Sequence, residues 1–200
     1  MIKKVLFVFG LALIVQTITG CVDCNCGPIR KIYITKTGLT LNALDSSLPQ
    51  PMVSQTGVIA SANFGFQLLL RTAHVAVRKQ QVNWRLIQTA QACSCAEDDF
   101  ISKEDVLSVE IFSNNDFDAS HPKNTDLSVY FEVKNYKTMV PLAEYIKRIK
   151  DSNYLARTAF FEGIFLTNAP TINKMHKFRV KITLSDGRIL EAETPEVELT

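Results

Sequence analysis

Beyond position 30 apolar and polar residues alternate with period two along most of the chain, the mark of strands with one buried face. The clearest run lies near the end, where Phe178, Val180, Ile182 and Leu184 interleave with Lys177, Arg179, Lys181 and Thr183. Asp186-Gly187 then offers a tight hairpin turn, and residues 189–194 return. Residues 126–134 predict a strand with Leu127, Val129, Phe131 and Val133 on one face, and Leu107, Val109 and Ile111 mark another with Ser108 and Glu110 outward. Earlier, residues 30–36 predict a strand with Ile32 and Ile34 inward, Gly38 permits a turn, and residues 39–44 follow. Phe64, Phe66, Leu68 and Leu70 share one phase while Ala73, Val75 and Val77 take the other, so a turn or bulge is expected near Arg71 and Thr72. Residues 82–92, with the only tryptophan, Trp84, read as a strand, residues 158–167 as a buried strand rich in phenylalanine, and Val197 and Leu199 as a short edge strand.

One stretch has helical spacing. Pro141 suits a first helical turn, Leu142, Ile146 and Ile149 form an apolar stripe, and Glu144 can pair with Arg148. Residues 45–56 are rich in Ser and Pro and read as a loop, residues 97–99 as an acidic turn, and residues 114–125 as a polar loop. Many short strands with one short helix predict a mainly β chain, an antiparallel β-sandwich with an immunoglobulin-like arrangement among its variants. Residues 30–200 are expected to form a single domain, the Pro-rich loop near position 50 being the sole candidate for a boundary.

The start of the chain follows another pattern. Two lysines precede an apolar run at residues 5–15, and Ile18-Thr19-Gly20-Cys21 closes it. The run is too short to span a hydrocarbon layer, which needs about 20 apolar residues, and it has the form of a secretory signal over residues 1–20. The closing tetrapeptide resembles the lipobox of bacterial lipoproteins. That resemblance implies cleavage after Gly20, diacylglycerol on the Cys21 sulfur and acylation of the new amine. Residues 21–29 then form the lipidated anchor and lead-in, and the protein is expected to be held at a membrane by lipid. Two of the 22 basic residues fall in the leader and no acidic ones do, which leaves 20 against 20. Zero net charge without long runs of one sign gives no footprint for nucleic acid.

Four cysteines remain, Cys24 and Cys26, Cys93 and Cys95. In an exported chain an even number reads as disulfides. Residues two apart on a strand face the same side, so one Cys-x-Cys can lace to the other. An antiparallel ladder pairs Cys24 with Cys95 and Cys26 with Cys93; a parallel one reverses this. One such bond closes a loop worth about 4 kcal/mol in the chain-entropy account. A four-thiolate zinc site fits less well, because its ligand pairs are usually separated by two residues or more. Asn114, Asp116 and Asp118 have the spacing that starts a calcium loop, but Ala119 and Thr125 stand where an EF-hand needs glycine and glutamate. A looser calcium site at these three residues is the one metal candidate, and no cofactor is expected.

Gly-x-Ser-x-Gly, His-Glu-x-x-His, P-loop and dinucleotide motifs are absent, and His74, His121 and His176 lie on unrelated segments. The chain therefore reads as a non-enzyme. The lipobox, Ala-Cys-Ser-Cys at 92–95, and a run including Ile111-Phe112-Ser113, Asp116-Phe117-Asp118, His121-Pro122 and Asp126-Leu127 together resemble a family of Bacteroidota lipoproteins carried as a domain of unknown function. The resemblance implies an outer-membrane anchor, a β-rich exported domain and no catalytic residues to carry over. In that group acidic residues soon after the lipidated cysteine favour the cell surface; only Asp23 fits, so surface and periplasmic faces both stay open. The leading expectation is a membrane-anchored lipoprotein whose β-domain is a non-catalytic structural or binding module. A fimbrial or adhesin-like assembly subunit that donates residues 196–200 is the alternative. A glycan-binding accessory protein, using Trp84, Tyr130, Tyr136 and Tyr154 as stacking platforms, is a third.

Overall fold

The computed structural model describes residues 29, 31–75, 98–150, 160 and 162–200. The chain divides into two compact units, residues 1–31 with 78–99 and residues 32–77 with 100–200, and the sheets are built almost entirely from the second. In chain order the strands are β1 (Lys31–Asp45), β2 (Met52–Val53), β3 (Val58–Ile59), β4 (Phe64–His74), β5 (Asp99–Ser102), β6 (Val106–Ser113) and β7 (Phe131–Asn135). There follow β8 (Thr138–Pro141), helix α1 (Leu142–Lys150), β9 (Ile164–Leu166), β10 (Met175–His176), β11 (Phe178–Leu184), β12 (Ile189–Glu193) and β13 (Val197–Leu199). A seven-stranded sheet runs β2-β1-β4-β9-β7-β8, with β5 also on β1; three-stranded sheets run β12-β11-β6 and β10-β13-β3.

The expected class is the observed one: mainly β, antiparallel except for β3 beside β13, with one short α-helix among the described residues. Phe64 and Phe66 of β4 and Phe131 of β7 face Phe178 of β11, all at most 1% exposed. The Phe64 and Phe178 rings stack with centroids 5.0 Å apart, and Phe131 meets Phe178 edge-on at 5.9 Å. The seven-stranded sheet thus packs on β12-β11-β6 as a sandwich. Each buried ring contributes roughly 1.5–3 kcal/mol of transfer free energy. Where β9 pairs with β4 the sheet has no space for a side chain: a Cβ on Gly65 would lie 2.5 Å from Phe165 and 2.6 Å from the Ile164 carbonyl.

Several local expectations change. Gly38 makes no turn; β1 runs through it with a bulge between Lys36 and Gly38, opposite Thr72 and Arg71. β4 itself keeps one phase through 71–72, with Ala73 exposed; the irregularity expected there belongs to the partner strand, where β1 carries the extra residue. Asp99, expected in an acidic turn, begins β5. Leu107 is 49% exposed because β6 also bulges: Val106 and Ser108 pair with consecutive residues of β11, which ejects the residue between them. Residues 126–130 are not strand. The Asp126 carboxylate accepts the Ser128 N–H at 2.9 Å, an Asx turn that curls Ser128–Tyr130 into a 3-10 turn and leaves Val129 75% exposed. In α1 the buried residues are Leu142, Tyr145 and Ile149, with Ile146 only partly covered. Of the expected 158–167 strand, residues 158, 159 and 161 lie outside the described residues; Ile164–Leu166 form β9, and Phe160 sits at φ 64°. Finally, β13 is no edge strand. Glu198 N–H donates to Gly57 O at 2.7 Å on one side and Leu199 N–H to Lys174 O at 2.8 Å on the other, with β3 parallel to it.

Candidate functional site

Between β6 and β7, which belong to different sheets, α1 packs across the opening of the sandwich. What it leaves uncovered is a groove of about 620 Å³ lined by Leu107, Val109, Val129, Leu142 and Ile146. Two local events described above build its apolar wall: the β6 bulge turns Leu107 outward, and the Asx turn does the same for Val129. Glu110, Asp126 and Glu132 supply carboxylates to the lining, and Lys147 its one ammonium. Glu110 is matched by Lys181 at 3.0 Å, and Asp126 is occupied by the Ile111 and Ser128 amides. The size and apolar character are those of a ligand site with a few orienting polar groups.

A second, polar constellation sits on the loop of residues 114–125. His121 Nδ1 lies 2.9 and 3.1 Å from the two Asp118 oxygens, and Tyr130 O–H donates to Asp118 Oδ2 at 3.0 Å. The carboxylate acceptor places the imidazole hydrogen on Nδ1. The His121 bond, chief among several, holds the Asp118 carboxyl below the ordinary carboxylate range. Donation to that carboxylate raises the Tyr130 phenol. Among the described residues no hydroxyl or thiol is hydrogen-bonded to His121 Nε2, so no nucleophile is aligned with it. Beneath, Phe117 lies between Tyr130 and His176, with centroids 5.5 Å from each. His176 is fully buried: Ser113 O–H donates to its Nδ1 at 2.7 Å and its Nε2–H donates to Asn173 O at 2.8 Å. This serine–histidine contact is sealed from any substrate, and burial pushes the His176 imidazole down from 6.5.

The calcium candidates are placed as turn pins. Asn114 Oδ1 accepts the Lys177 amide at 2.7 Å, Asp116 Oδ1 the Lys123 amide at 2.8 Å, and Asp118 Oδ1 the Ser120 and His121 amides at 2.8 Å. Among the described residues no group of three or more His, Cys, Asp or Glu side chains is placed to hold a metal ion. Cys21, Cys24, Cys26, Cys93 and Cys95, the leader, Trp84 and Tyr154 lie outside the described residues. Tyr136 is 78% exposed, and Tyr130 is hydrogen-bonded to Asp118.

Sequence reading missed a buried ammonium and the cluster around it. Lys36 is 2% exposed on the inward side of β1, and its ammonium donates to Ser102 Oγ and, at 2.5 Å, to Glu104 O. The Glu104 carboxylate accepts Thr35 O–H at 2.6 Å, the Lys36 amide at 3.1 Å and the Arg188 guanidinium at 2.8 Å. Arg188 also donates to Lys36 O at 2.7 Å and to Asp186 at 2.6 Å. Burial lowers the Lys36 pKa against the raising pull of Glu104. Alternation in Ile32, Ile34, Lys36 is the one signal that could have placed this lysine inside.

No curated protein and no solved structure matches the chain. A family model does, across residues 36–195, a span that takes in most of both sheets of the sandwich, the groove, the Asp118 cluster and the Glu104 cluster apart from Thr35. On that match the chain belongs to the family described as domain of unknown function DUF5034.

Proposed function

We propose that this is an exported, lipid-anchored protein of the bacterial outer membrane whose β-domain is a non-catalytic binding module. The observation that supports a binding role is the apolar groove between α1 and β6, with Leu107 and Val129 turned outward by a bulge and an Asx turn. Solvent-facing apolar side chains that local backbone devices hold in place, beside a groove large enough for a ligand, are what a binding surface requires. The membrane placement rests on the leader and Cys21, and a family placement among Bacteroidota lipoproteins on the motifs quoted above. Strand donation by residues 196–200 would require β13 to leave both of its neighbours, which makes the fimbrial alternative the more demanding one.

The test has two readouts on the native protein. It should stay with membranes in high salt, leave them in detergent, and be released by Cys21→Ala. An anionic naphthalene dye should brighten on the purified protein, and Val129→Asp should abolish the signal without lowering the melting temperature. Release by salt overturns the anchor; an unchanged dye response in Val129→Asp overturns the groove.

A further inference from the structure

Lys36 is the only buried lysine among the described residues, and the corner around Glu104 does not need its charge. The Glu104 carboxylate is served by Thr35, the Lys36 amide and Arg188, and Glu104 O by the Ser102 hydroxyl. A buried charge that an apolar side chain could replace without loss adds little to stability, and a burial-perturbed group is one sign of a reactive site. The surroundings of this amine supply the chemistry. Lys36 Nζ, Ser102 Oγ and Glu104 O close a triangle: the amine donates to both oxygens, and the hydroxyl donates to Glu104 O at 2.8 Å. Ser102, the last residue of β5, is partly exposed, whereas Lys36 is 2% exposed. A reachable hydroxyl in contact with a desolvated amine is how a serine is activated, because burial favours the neutral amine, whose lone pair can take the hydroxyl proton. Glu104, Asp105 and Asp186 pull the proton onto Lys36 and Arg188 opposes them, but burial outweighs that pull.

We propose that Ser102 is a nucleophile toward the acyl group of an activated ester, with Lys36 as its base. Ser102 Oγ bonds to the acyl carbon, the bond from that carbon to the leaving oxygen breaks, and the serine proton passes through Lys36 Nζ to the leaving group. No further reactant is consumed, and the step ends at the acylated serine. It is a stoichiometric capture at residues that do not line the groove, so it goes beyond the binding role above and is tested apart from it.

The probe is p-nitrophenyl acetate added to the intact, detergent-solubilised protein. A burst of about one equivalent of nitrophenolate is expected, with the acetyl group found by mass spectrometry on the peptide that holds Ser102. Ser102→Ala should remove the burst, and Lys36→Met should slow it by about 100-fold or more. In the native chain the burst rate should climb with pH and level off below 10.5, as the buried amine loses its proton. Absence of acetyl on Ser102 overturns the nucleophile. An equal burst rate in a folded Lys36→Met, or a rate that follows hydroxide with no plateau, overturns the base. Should Lys36→Met fail to fold, the site of acetylation and the pH profile of the native chain decide both points. The dye test of the groove is independent, so either reading can fall while the other stands.

Discussion

The cluster around Glu104 draws side chains from positions 35, 36, 102 and 188, whereas the one around Asp118 uses only 118, 121 and 130. The first ties β1, the approach to β6 and the β11–β12 hairpin into one corner, and its carboxylate is 8% exposed. The second closes a loop on itself, with Asp118 and His121 about a fifth exposed at 20% and 23%. Long reach with burial makes a cluster a matter of stability. Short reach with exposure makes it a matter of local shape, since exposed pairs are worth little to folding.

The comparison breaks most readily at Glu104. Glu104→Ala should cost about 2–3 kcal/mol, short of a fully buried pair because Arg188 is 42% exposed. Denaturant unfolding would read it as a lower midpoint at unchanged slope. Next comes His176, beneath the Asp118 loop. Its folded pKa lies below 6.5, so the unfolded chain takes up a proton first, and stability is whole above about pH 6.5 and lost as pH falls below it. Melting temperatures from pH 7.5 to 5 should decline in the native chain and decline less in His176→Gln. Asp118→Asn should cost less than Glu104→Ala. The folded carboxyl is held low, so its contribution is present above the unfolded pKa and vanishes as pH falls through the folded one. The native and Asp118→Asn proteins should thus converge in strong acid. Smallest of all, Lys36→Met should lose no stability at pH 7, since a well-packed apolar chain replaces a buried charge whose acceptor Glu104 O keeps the Ser102 hydroxyl. The native chain should gain stability as pH rises through the lowered Lys36 pKa toward 10.5, and Lys36→Met should lack that rise.

The same contrast explains what could be read in advance. Period-two runs depend on neighbours in sequence, so β11, β12 and the turn at Asp186-Gly187 were legible, as was the helix with its Glu144–Arg148 pair at 2.6 Å. The sandwich class followed from the same pattern. Val129 and Leu107 were misplaced inward because an alternating pattern carries no sign of an Asx turn or a bulge that shifts phase. Asp126-Leu127-Ser128 held the one local cue. The C-terminal strand looked like an edge because its parallel neighbour β3 lies far away in sequence. The groove itself was invisible, being what remains between two sheets and a helix, walled by β6 and β7 residues that are distant from that helix or from each other in sequence. The Asp118 loop stood out as a motif by its spacing of Asn114, Asp116 and Asp118, and its amide hydrogen bonds could not be read from that spacing.

Gly65 has a consequence of its own for anyone mapping tolerance across this chain. Its backbone is ordinary, so the usual test of torsion angles would pass an alanine there, but the methyl would drive into a ring and a carbonyl of the paired strand. A saturation library should show position 65 as blank for every replacement, near the start of a strand whose exposed far end accepts many. The limit there is elbow room, and it would reveal which two strands touch without any image of the molecule.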